Sequence, residues 1–107
     1  MRSRRAELAL HLRQLFPAAP DKDLRAILDR ALGSRGLRPS APATAAWLSA
    51  VAYIRHAFSD YDALLDDGYD IYSARHFSRP RINLVLQEWG AARQITENEE
   101  TRSPATD

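Results

Sequence analysis

The amino-acid sequence predicts an all-α domain. No stretch sustains an alternation of apolar and polar residues, while apolar side chains recur at three- and four-residue intervals. The strongest breakers, Pro17, Pro20, the run from Gly33 to Ala43, Gly68 and Gly90, fall between those stretches. A chain of 107 residues has room for one core. The expected architecture is a small bundle of four to five helices, with a long basic loop between the second and third helices and a C-terminal helix interrupted by proline. Residues 1–90 form a single helical domain in this reading, and residues 91–107 a polar, disordered tail.

The first helix is predicted from Ser3 to Phe16, with Leu8, Leu12 and Leu15 on one face. It stops there because a residue preceding proline is pushed out of the helical region. The second starts near Pro20, with Asp21 and Asp23 in the first turn, where the backbone dipole favours negative charge. Leu24, Ile27, Leu28, Ala31 and Leu32 form its buried stripe up to Gly33. The loop GSRGLRPSAPA carries Arg35 and Arg38. A third helix spans Thr44 to Phe58, with Trp47, Val51, Ile54 and Phe58 toward the core. Ser59 and Asp62 have the spacing of a capping box for a short helix from Asp60 to Asp66, which Gly68 closes. Asp70 caps the last helix, containing Ala74, Ile82, Val85, Leu86 and Trp89. Pro80 predicts a kink near Phe77 or two helical pieces in line.

Composition narrows the function. With no cysteine, disulfides and thiolate metal sites are excluded. No apolar run approaches the length of a membrane span, so no membrane association is expected. The start, MRSRRAELALHLRQLF, has an arginine-rich transit-like composition but reads more simply as an amphipathic helix, which leaves cytoplasm as the expected compartment. The net charge of +1 conceals alternating blocks. Residues 1–40 hold nine basic and four acidic side chains, and residues 41–70 hold one and five. Fourteen of the fifteen basic residues are arginine, the side chain suited to bidentate contact with phosphate or carboxylate.

The densest cluster of chemistry is YIRHAFSDYDALLDDGYDIYSA, from Tyr53 to Ala74. On an unbroken helix Arg75 projects from the same face as Ile71, Ile82, Leu86 and Trp89, and a charge pointing into a core needs a partner. Asp60, Asp62, Asp66 and Asp67 are candidates, Asp62 foremost; the functional alternative is an anion-binding arginine. His56 reads as a helix-terminal histidine, or as a general base oriented by Asp60 or Asp62. No cysteine nucleophile and no glycine-rich phosphate cradle accompanies it, so no catalytic residue is assigned. His11, His56 and His76 share no ligand spacing, and Leu64 and Leu65 occupy positions where a calcium loop needs oxygen, so neither metal nor other cofactor is expected.

Tyr53 to Ala74 resembles the signature of the domain of unknown function 2293 family, "(I/V)RH, then (T/S)xYD, LL, G, then AR". The matching positions are Arg55, His56, Ser59, Tyr61, Asp62, Leu64, Leu65, Gly68, Ala74 and Arg75, preceded by Phe16 and Pro17 and followed by Ile82, Leu86 and Trp89. The resemblance implies an uncharacterised small helical domain in which Arg55, His56, Ser59, Tyr61, Asp62, Gly68 and Arg75 are structural. Pro80 departs from it, standing where relatives continue an unbroken helix.

The functional lead is the basic residues. Arg2, Arg4 and Arg5 at the start, Arg30 late in the second helix, and Arg35 and Arg38 in the loop are candidates for one phosphate-binding face. The expectation is a non-enzymatic binding or accessory domain whose arginine-rich surface engages nucleic acid. The alternative is a protein-interaction module or homodimer that uses Trp47, Trp89 or the tyrosine-rich turn.

Overall fold

A computed structural model describes residues 1–102, with side chains through Glu99. It is all-helical over these residues, with six α-helices and one short 3-10 turn. Helix α1 (Arg4–Leu15) is capped by Ser3, whose Oγ accepts the Ala6 N–H at 3.1 Å. Its buried side chains, Leu8 and Leu12, continue into Phe16 at the C-cap. Helix α2 (Asp21–Gly33) runs antiparallel to α1, as ion pairs at its two ends record: Arg13–Asp21 at 3.1 Å and Arg5–Asp29 at 4.0 Å. Both pairs are solvent-exposed and add little stability. The intervening loop is not wholly irregular, because Arg35–Leu37 forms the 3-10 turn and Leu37 is buried.

Helix α3 (Pro42–Phe58) begins two residues before the predicted Thr44, because proline is tolerated in a first turn, where its missing N–H has no helical acceptor. Ala45, Ala46 and Ala50 are fully buried, and their small size lets neighbouring helices approach α3 closely. An aromatic chain crosses the core. Phe16 stacks on Trp47 and meets Trp89 edge-on, each at 6.0 Å between centroids, and Phe58 meets both Trp89 and Tyr53 edge-on at the same separation. Trp47 and Trp89, proposed above as contact residues, are only 4% and 6% exposed. That expectation is corrected: both indoles serve the core.

Helix α4 (Tyr61–Asp66) ends as predicted at Gly68, whose φ of +97° suits glycine. Gly68 N–H donates to Leu65 O, and Tyr69 N–H to Leu64 O, closing the helix end with paired bonds. Gly90, with φ of +80°, ends the next helix identically, through Gln87 O and Leu86 O. The predicted capping box is replaced by a different use of the same residues. Ser59 Oγ accepts the Tyr61 N–H while donating to Arg55 O, and Asp62 turns to His56.

Helix α5 (Ile71–Glu88) is a single element that runs through Pro80, which corrects the expectation of two helical pieces there. Pro80 and the residue one turn earlier, His76, are both exposed, so the carbonyl that loses its helical donor lies on the water side. Continuity keeps Arg75, Ile82 and Leu86 in phase, and all three are fully buried. Ile71, assigned to that face, is instead 41% exposed because it lies at the helix start.

The expected tail from residue 91 is also revised within the described residues. Ile95 is 5% exposed, and Asn83 grips its backbone twice, accepting the Ile95 N–H at 2.8 Å and donating to Ile95 O at 3.2 Å. Helix α6 (Glu97–Arg102) follows. One isoleucine, invisible to a reading of average polarity, adds apolar burial to these bonds. Residues 103–107 of the predicted tail lie outside the described residues.

Candidate functional site

Two groups of candidate residues are assembled by the fold, at different places. The first is the arginine-rich end. Arg4, half-buried at the start of α1, donates from Nη2 to Leu37 O at 2.9 Å and from Nη1 to Ser40 O at 3.1 Å. This two-pronged bond fastens the loop that bears Arg35 and Arg38 onto the helix start that bears Arg2 and Arg5. Arg5 reaches Asp29, beside Arg30, so the end of α2 joins the same region. Arg2, Arg5, Arg30, Arg35 and Arg38 are all exposed. Arg4 itself is committed to backbone carbonyls. The α1 N-terminus adds a partial positive charge there.

The second group is the signature turn. Arg55 is 3% exposed, and its guanidinium carbon lies 5.6 Å from the centre of the Tyr61 ring, which is itself buried at 1%. His56 Nδ1 and Asp62 Oδ1 are 2.8 Å apart, and the imidazole also meets Tyr61 edge-on at 5.4 Å. Asp62 thus orients the ring, as one sequence reading anticipated. Arg81 donates to Phe58 O at 3.1 Å, tying α5 to the end of α3. Arg75 is the largest fully buried side chain among the described residues. These contacts bind α3, α4 and α5 together around the turn. Among the described residues, no three His, Asp or Glu side chains group as metal ligands.

A family model described as "Uncharacterized conserved protein (DUF2293)" matches residues 11–90. The chain belongs to this family. No curated protein and no solved structure matches the chain. The DUF2293 match contains the whole signature turn together with Arg30, Arg35 and Arg38, while Arg2, Arg4 and Arg5 precede it. The family carries no assigned activity, so chemistry must be argued from the residues.

Sequence reasoning missed a groove of about 380 Å³ along α3, bounded by Leu15, Trp47, Val51 and Arg55 and by Arg93 and Ile95 from beyond the DUF2293 match. Arg93 lies over the Trp47 indole, its guanidinium carbon 3.9 Å from the ring centre. Glu99 accepts from Arg93 at 3.1 Å and from Trp47 Nε1 at 3.3 Å, drawing the 91–99 segment across one side of the groove. The only local signal was Ile95 in an otherwise polar stretch. A second missed contact joins Tyr53 to Asp23. The phenol donates to Oδ1 at 2.6 Å, and Asp23 is 3% exposed. Burial, then the hydrogen bond and charge of Asp23, push the Tyr53 hydroxyl up to about 12. No described helix is long and apolar enough to cross a membrane.

Proposed function

We propose that this DUF2293 domain is a non-enzymatic, cytoplasmic binding module that engages the phosphate backbone of nucleic acid through its arginine-rich end, without a cofactor. The observation that carries the reading is the bidentate attachment of Arg4 to Leu37 O and Ser40 O. It holds two arginine-bearing segments, distant in sequence, side by side, which supports a shared phosphate-binding surface. Exposed guanidinium groups on connected, ordered backbone suit phosphate oxygens, and binding of this kind releases counterions. Arg2, Arg5, Arg30, Arg35 and Arg38 are the contact residues, and Arg4 holds their geometry.

The test is fluorescence anisotropy with labelled single- and double-stranded DNA and RNA at two or more salt concentrations. Binding that weakens steeply with salt is expected. Replacing Arg35 and Arg38 by Ala removes two phosphate contacts and lowers the log–log salt slope by about 2 on duplex DNA. Absence of binding at low salt, or an unchanged slope in the double variant, overturns the reading.

A further inference from the structure

Residues 1–40 carry four carboxylates, and three of them are engaged. Asp21 is held by Arg13 at 3.1 Å and Asp29 by Arg5 at 4.0 Å, while Asp23 is buried against the Tyr53 hydroxyl. Glu7 remains, half-buried in the first turn of α1. Of the nine basic side chains in the same stretch, Arg5 and Arg13 sit in those ion pairs and Arg4 is bound to backbone carbonyls. Arg2, Lys22, Arg25, Arg30, Arg35 and Arg38 are exposed, and no side-chain partner among the described residues satisfies any of them. The charge left over after internal pairing is therefore positive.

Lys22 and Arg25 join the contact residues already named. Both stand on the side of α2 opposite Ile27 and Ala31, which are buried. Lys22, Arg25 and Arg30 follow one another along α2, and Arg35 and Arg38 continue from its end. Lys22 to Arg30 covers about 12 Å at the helical rise, the axial length of roughly three to four base pairs, which a mononucleotide cannot span. The stretch offers no stacking platform, because Phe16 is the one Phe, Tyr or Trp in residues 1–41 and it is fully buried. Opposing charge is set apart: Asp60, Asp66 and Asp67 are exposed at α4, which packs mainly against α5, whereas α2 packs against α1 and α3. We propose that the phosphate-binding surface extends from the loop along the outer side of α2, with Lys22 and Arg25 as further contacts, and that it takes double-stranded nucleic acid by its backbone without reading sequence. This extension rests on the nucleic-acid reading of the arginine-rich end. A duplex presents the denser line of phosphates, whereas a single strand held without aromatic stacking binds less tightly.

Salt titrations of the full chain on labelled DNA, read by fluorescence anisotropy, test the proposal. Lys22→Ala combined with Arg25→Ala is expected to lower the log–log salt slope on duplex by about 2, and adding Arg35→Ala and Arg38→Ala lowers it by about as much again. Both α2 positions are exposed and alanine favours helix, so the fold is kept, which circular dichroism verifies. Arg79→Ala, on α5, leaves the slope of the parent chain. Duplexes of unrelated sequence bind alike, and a single strand of the same length binds at least about tenfold more weakly at equal salt. If the Arg35 and Arg38 variant lowers the slope while the Lys22 and Arg25 variant does not, the extension along α2 is wrong and the reading of the loop stands. A single strand that binds as tightly as duplex, or a strong preference for one duplex sequence, overturns the assigned ligand class. Absence of binding by the parent chain at low salt overturns the extension together with the reading beneath it.

Discussion

Tyr53, at the start of the signature stretch, and Asp23 form a polar pair at the edge of the core. The phenol caps a carboxylate that α2 presents to the core, and it joins α2 to α3. Because the folded-state value of Tyr53 is raised from 10.0 to about 12, the fold favours the protonated phenol. This stabilisation is complete below about pH 10 and disappears as pH rises toward 12. Tyr53→Phe leaves Asp23 without that donor and is expected to cost about 1–3 kcal/mol in urea unfolding at neutral pH. The variant is also expected to lose less stability than the parent between pH 10 and 12. An equal loss in both chains places the alkaline sensitivity elsewhere. Arg75 differs in kind: its burial was legible from helical phase alone, since Ile82 and Leu86 lie seven and eleven positions on, about two and three helical turns.

Among the helices, α5 tests how far local rules reach. Asp70 was legible as its cap. The Asp70 carboxylate accepts the Ser73 N–H at 2.7 Å, and that bond holds its pKa below the usual value. Pro80 was read as a kink or a break because proline removes a donor and crowds the preceding turn; at this exposed position the helix continues through it. Asn83 carries the least predictable role on α5, because its amide acts as a surrogate strand partner for Ile95. Asn83→Ala is expected to cost about 1–2 kcal/mol through the two lost bonds and to release the 91–99 segment. Trp47 then loses its Arg93 and Glu99 cover, and tryptophan emission shifts to longer wavelength. Unchanged emission and stability would show that Asn83 does not hold the segment.

Across the whole molecule, the end of α5 closes against the turn after α1. Ala18 N–H donates to Trp89 O at 2.9 Å, and a Cβ on Gly90 would lie 3.1 Å from the Pro17 ring. Gly90→Ala therefore combines an unfavourable positive φ with a close approach to a rigid ring. A loss of about 1–2 kcal/mol in thermal or urea unfolding is expected from the backbone conformation alone, with crowding in addition. Wild-type stability in that variant would mean that the closure is loose.

By itself the sequence determined the helical class, the cap at Asp70, the turn at Gly68, the apolar stripes of α1 to α3, and the family. Each is written in spacing over a few residues, because capping, φ preference and helical phase are local properties. Only the tertiary structure decided that Ile95 docks and that Arg4 clasps the basic loop. It also paired Tyr53 with Asp23. The contacts Asp23–Tyr53, Arg4–Ser40 and Trp47–Glu99 join residues 30, 36 and 52 positions apart. Such pairs form only when packed helices bring chosen faces together, and no periodicity within one segment specifies its distant partner.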